Sequence, residues 1–155
     1  MEKRKSIKNR QKNNKNNKNN ITMKQYGLKD KAKTNIVETF MGMLNMVKLY
    51  HWKTYSYAKH KATDDLYMKL NKDIDEFVEV MLGKDESRVP NFKTKIVLQN
   101  DDSVNTFKKN IYQYREYLIE MDNILNDKYD DDLKHIRDNI LADINQFLYL
   151  LTFNK

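Results

Sequence analysis

Three histidines, His51, His60 and His135, bound any imidazole chemistry in this 155-residue chain. The absence of cysteine excludes a thiolate metal site, a disulfide scaffold and a Cys nucleophile. His60 and Asp64 stand four residues apart, as do Asp75 and Glu79. On a helix such residues share a face, so the first pair is a half-site of nitrogen and oxygen donors and the second a half-site of oxygens. A mixed imidazole and carboxylate set with water positions open suits iron, with zinc or manganese as alternatives. Asp64 and Asp75 differ by only ~20° around a helix axis but lie ~16 Å apart along it, so one chain cannot close the site. A second copy running antiparallel about a two-fold axis would set His60 opposite Glu79 and Asp64 opposite Asp75, building two sites in an isologous dimer. Each pair also has an ordinary reading, His60 as a solvated or hydrogen-bonded histidine and the acids as salt-bridge partners. His51, beside Tyr50 at the edge of an apolar stripe, reads by itself as a packed core histidine. Asp132 and His135 have i,i+3 spacing, but acids in a first helical turn are explained by the helix dipole, and His135 is set aside. No Glu-x-x-His occurs, so the usual di-iron centre inside a single four-helix bundle lacks its ligand pair.

Four apolar stripes supply the elements that would carry these residues. With three Gly and one Pro, the chain has few helix breakers and fits one domain. From about residue 34, Ile36, Phe40, Met43, Val47 and Tyr50 recur at helical spacing. A second stripe begins after Tyr57 with Leu66, Leu70, Ile74, Phe77 and Met81 and stops at Gly83, which suits a left-handed helix cap. Residues 84–101, with Pro90, read as a long crossover. Ser103 is placed to cap a third helix bearing Val104, Phe107, Ile111, Tyr114, Leu118, Met121 and Leu125. After an acidic turn at Tyr129–Asp132 the fourth carries Leu133, Ile136, Ile140, Ile144, Phe147 and Leu151. Two short connections around one long one predict an all-α chain, a four-helix bundle of the ferritin-like type, over residues 31–155. Gly42 inside the first helix costs about 1 kcal/mol relative to Ala, which predicts a close helix contact there.

The net charge of +7 is uneven. Residues 1–20 hold Lys3, Arg4, Lys5, Lys8, Arg10, Lys12, Lys15 and Lys18 against the single acid Glu2, and they include seven Asn. The rest of the chain is neutral. So polar a segment cannot offset its ordering entropy, and residues 1–30 are expected to form a disordered basic arm. Its eight cations would meet DNA or another polyanion through phosphate contacts that are sequence-blind and salt-sensitive. A solubilising tail is the plain alternative. No stretch is apolar enough for a membrane span, and no signal-peptide core follows the basic start, so a cytoplasmic, nuclear or virion setting is expected.

The segment His51-Trp52, then Tyr57 through Tyr67 with His60-x3-Asp64, then Asp75-x3-Glu79, resembles the Dps-type mini-ferritins. In that family a His-Trp ends the first helix, His-x3-Asp and Asp-x3-Glu lie on the second, and two chains share an iron-oxidising centre. The resemblance implies that His51, His60 and Asp64 come from one chain and Asp75 and Glu79 from its neighbour, with Trp52 close to the iron and able to give up an electron. The interval from His51 to His60 is shorter than in the mini-ferritins, which tightens the loop between the helices. The block His-Trp-Lys-Thr-x-Ser-Tyr-x-x-His-x-Ala-x-Asp is also similar to uncharacterised ferritin-like small proteins of large DNA viruses. Two functions are therefore expected to compete: a Dps-like ferroxidase held on DNA by its basic arm, and a non-catalytic ferritin-like structural or DNA-packaging virion protein.

Overall fold

The computed structural model describes residues 26–91, 95 and 103–153. Among them the chain is all-helical, with four α-helices and no strand: α1 Asp30–Lys53, α2 Tyr57–Gly83, α3 Val104–Glu120 and α4 Asp131–Leu150. Short 3-10 turns follow α3 at Met121–Asn123 and α4 at Leu151–Phe153. The basic segment 1–20 and half of the expected crossover lie outside the described residues.

The stripes became one core. Ile36, Phe40, Met43, Val47 and Tyr50 of α1 are buried against Leu66, Leu70, Ile74, Phe77 and Met81 of α2, with Phe107, Ile111 and Leu118 of α3 and Ile136, Ile140 and Ile144 of α4 completing it. Each such side chain contributes about 1.5–3 kcal/mol by leaving water. α2 packs on both α1 and α4, and α3 packs on α4 and touches α1. Polar contacts give the directions. Lys33 near the start of α1 meets Asp85 just past α2, and Lys69 in mid-α2 meets Asp143 in mid-α4. Asn35 near the start of α1 accepts from Tyr117 near the end of α3, while Tyr50 near the end of α1 stacks on Phe107 near the start of α3. Thus α1 runs antiparallel to α2 and to α3, which makes α2 and α3 parallel.

Gly42 has its explanation in α3: an added Cβ would stand 3.1 Å from the Tyr114 hydroxyl. Three expectations need correction. α1 begins at Asp30 rather than near residue 34, because Lys33 takes the stripe position one turn before Ile36 and is itself 1% exposed. Gly83 is not a left-handed cap. No glycine among the described residues has positive φ, and the left-handed position falls to Glu86, at φ 55°. There Glu86 N–H donates to Gly83 O and Ser87 N–H to Leu82 O, the paired bonds of a Schellman ending. α3 stops at Glu120, so Met121 and Leu125, though buried, continue the stripe through a 3-10 turn and coil rather than a helix.

Candidate functional site at the α1–α2 turn

Three residues, Thr54, Tyr55 and Ser56, join α1 to α2. Thr54 N–H donates to Tyr50 O and closes α1. Ser56 Oγ accepts from Lys59 N–H and opens α2, satisfying one of the amides a helix start leaves unpaired. This tight link brings the last turn of α1 against the first turn of α2, and with them His51 against His60.

The two imidazoles are stacked, their centroids 3.9 Å apart and their planes 23° from parallel. Each is tied to the other's backbone: His51 Nδ1 lies 3.0 Å from His60 O, and His60 Nδ1 lies 3.0 Å from His51 O. A carbonyl oxygen only accepts, so both Nδ1 atoms must carry the proton. In the neutral rings that leaves both Nε2 atoms with a free lone pair, the tautomer in which an imidazole acts as base or metal ligand. A carbonyl behind the ring is also the usual way a ligating histidine is oriented. Thr63, fully buried, stands behind the pair, with its hydroxyl donating to Lys59 O and lying 3.4 Å from His51 Nδ1. His51 Nε2 is 3.9 Å from Asp64 Oδ1, beyond hydrogen-bond length. His51 is 7% exposed, whereas Asp64 is open to solvent on one side.

The structure therefore gathers His51, His60 and Asp64 and leaves Asp75 and Glu79 apart. The latter two are exposed on α2, further along its axis. Asp75 lines an open groove of about 340 Å³ between α1 and α2, with Val37, Met41, Leu44 and Val78 among its walls. Among the described residues no group of three or more His, Asp or Glu side chains is arranged to hold a metal ion. Trp52, next to His51, is 69% exposed, with the Lys48 ammonium 5.7 Å from its ring centre. His135 is exposed on α4. Lys3, Arg4, Lys5, Lys8, Arg10, Lys12, Lys15 and Lys18 lie outside the described residues.

Two features escaped the sequence reading. One is the buried ion pair of Lys33 with Asp85, whose partners are fifty-two positions apart. The other is the exposure of Tyr55 and Tyr57 beside the histidines. A signal for the second was present, since residues 39–63 contain no Asp or Glu.

Residues 51–151 match the model of a family of unknown function, DUF5856, and the match begins at His51. No curated protein and no solved structure matches the chain. Among the described residues no helix is long and apolar enough to cross a membrane.

Proposed function

The chain belongs to the DUF5856 family, whose function is unknown, and from that premise we propose that it is a ferritin-like protein that binds and oxidises ferrous iron between two copies of itself. The carrying observation is the histidine pair: two imidazoles with their Nδ1 atoms fixed on carbonyls and their Nε2 atoms bare, beside the Asp64 carboxylate. Nitrogen and carboxylate oxygen together suit Fe(II) as a substrate. Asp75 and Glu79 are exposed where an antiparallel second α2 would present them to the half-site. The exposed Met41 and Met68 and the groove beside Asp75 give such a pairing apolar surface to cover. The parallel course of α2 and α3 supports the ferritin-like arrangement, since a single crossover along the helices requires it. Each ferrous ion gives one electron to peroxide or oxygen, and Trp52 would supply a further one. The basic segment 1–20 would hold the assembly on DNA.

His60→Ala and Glu79→Ala should each abolish ferrous oxidation, followed as ferric absorbance, with helicity unchanged. Because the two residues act from different chains, mixing the mutants should restore roughly a quarter of the sites after random exchange. Wild-type oxidation in either single mutant overturns the site. Recovery far from that fraction, with exchange demonstrated, overturns its sharing.

A second reading rests on the same pair. Reciprocally bonded imidazoles also clasp α1 to α2 with no metal, which fits a non-catalytic structural or DNA-packaging virion protein. On that reading His60→Ala lowers stability and the wild-type protein oxidises no iron.

A further inference from the structure

Residues 39–63 form the longest cationic stretch of the folded part, carrying Lys48, Lys53, Lys59 and Lys61 and no acid. The structure folds this stretch into a hairpin tip and places aromatic rings on it. Tyr55, in the three-residue link, is fully exposed at 106%, Tyr57 is 77% exposed and Trp52 69%. Large rings left this open in the company of lysines have no role in the core, and the hydrophobic effect alone would bury them. Lys48 already sits over two faces, 4.5 Å from the Tyr67 ring centre and 5.7 Å from that of Trp52, so cations and rings are interleaved.

We propose that this tip binds single-stranded nucleic acid, with unpaired bases stacking on Tyr55 and Tyr57 and phosphates held by Lys59 and Lys61. Every base has a face that an aromatic ring can cover, so such a surface is tolerant of sequence and needs the base unpaired. Charge complementarity selects the occupant, because four lysines without an acid between residues 39 and 63, against the one nearby carboxylate of Asp64 beside His51, attract a polyanion and repel a basic protein. A bilayer surface fits less well. The residues between the rings are Lys53, Thr54 and Ser56, with no large aliphatic side chain to enter the acyl region. The site is separate from the basic segment 1–20 and from the metal set of the proposed iron centre, neither of which includes the two tyrosines.

The chain has one tryptophan, and it lies in this tip, so Trp52 emission reports on the surface directly. Oligothymidylate added to the full-length protein should quench Trp52. The double variant Tyr55→Ala, Tyr57→Ala should lose at least tenfold in oligothymidylate affinity, by anisotropy of the labelled strand, while its affinity for a duplex of the same length stays within twofold. Lys61→Gln should lower the slope of log affinity against log salt by about 0.7. Both tyrosines are solvent-exposed, so these variants should keep wild-type helicity, and iron oxidation should be unaffected. The proposal is overturned if the double variant binds oligothymidylate as the wild type does, if single strand and duplex weaken equally, or if the strand binds with Trp52 silent. It is equally overturned, in favour of a membrane surface, if anionic phospholipid vesicles shift Trp52 emission to the blue and oligothymidylate does not quench it.

Discussion

The two ends of the helices solve their packing in opposite ways. Where α1 starts, α2 stops and α4 starts, charges are buried in pairs. Lys33 is 1% exposed and donates to Asp85 Oδ2 at 2.5 Å and to Ser87 Oγ at 2.7 Å. Lys84 donates to Tyr129 O and Asp132 and lies 3.3 Å from Asp130. Arg137 reaches Leu118 O and Asp122, tying α4 to the end of α3. At the other end, where α1 stops and α2 starts, the inward contacts are aromatic: Tyr50 stacks on Phe107, which meets Phe147 edge to face. The outward side chains there are Trp52, Tyr55 and Tyr57. A buried ion pair rarely adds net stability, but it penalises every arrangement that separates its partners. The ionic end therefore fixes which helices meet, and the aromatic end leaves Trp52, Tyr55 and Tyr57 facing solvent.

The largest break in that comparison should come from Asp85→Ala. It leaves the Lys33 ammonium buried without its carboxylate, at a cost of about 3–5 kcal/mol in urea unfolding. Lys33→Met combined with Asp85→Ala should cost clearly less than Asp85→Ala alone, because no orphaned charge remains. If the double variant is the worse of the two, the pair is not what holds this end.

Acid should open the same end by a smaller amount. Burial alone would raise the Asp85 carboxyl, but hydrogen bonds from Lys33 and Ser87 and the Lys33 charge outweigh it and hold it below the ordinary aspartate value. Asp132 follows the same pattern, with burial opposed by Lys84 and the Leu133 amide, and is likewise held low. A carboxyl depressed in the folded state gives stability that is present above its unfolded value and is lost as pH falls through the lower folded one. For Lys84, burial would lower the ammonium, yet Asp132 and Asp130 together raise it, so its contribution holds at neutral pH and is lost as pH rises beyond the ordinary lysine range. Stability against urea should thus be flat near neutrality and fall at both extremes. In Asp85→Ala the acid limb should be shallower.

Glu86→Gly sharpens the contrast in the other direction. A left-handed glutamate is strained by about 1 kcal/mol where glycine is not, so the substitution should raise stability by roughly that amount and leave the aromatic end unchanged. The smallest effect belongs to the open end. Ser56→Ala removes the cap of α2 and should cost about 0.5–1 kcal/mol, with faster amide exchange confined to the first turn of α2. Exchange that accelerates equally along all four helices would mean that the two ends are one cooperative unit.

The helices were legible because their apolar residues keep a 3.6 period, and the stripes from Ile36, Leu66, Val104 and Leu133 each mark buried faces. What escaped depended on distant partners. Lys33 occupies an apolar stripe position but reads as its end, since its justification, Asp85, lies in an aperiodic stretch. Gly83 is the last helical residue, as its chemistry suggested, but the left-handed turn falls three residues later at Glu86, where the chain brings Ser87 to Lys33. At the site, His60-x3-Asp64 and Asp75-x3-Glu79 could be found from spacing alone. The contact of His51 with His60 could not, because it depends on how tightly Thr54, Tyr55 and Ser56 turn. The open tyrosines were missed for a different reason: neither Tyr55 nor Tyr57 belongs to an apolar stripe, and only the fold shows that both face water.

The sequence separation of these contacts sets an order on synthesis. A chain made from its N-terminus has Lys33, Asp85 and Ser87 available once residue 87 has left the ribosome, so the α1–α2 hairpin can close with its ion pair and its histidine stack already made. Lys69 must wait for Asp143 and Gln146, and Asn35 for Tyr117. Until α4 is complete, the half of α2 that will meet it, with Leu66 at its edge, is uncovered. The nascent hairpin is thus a registered but half-bare intermediate, and ribosome stalling between residues 90 and 140 is where a chaperone would find apolar surface to hold.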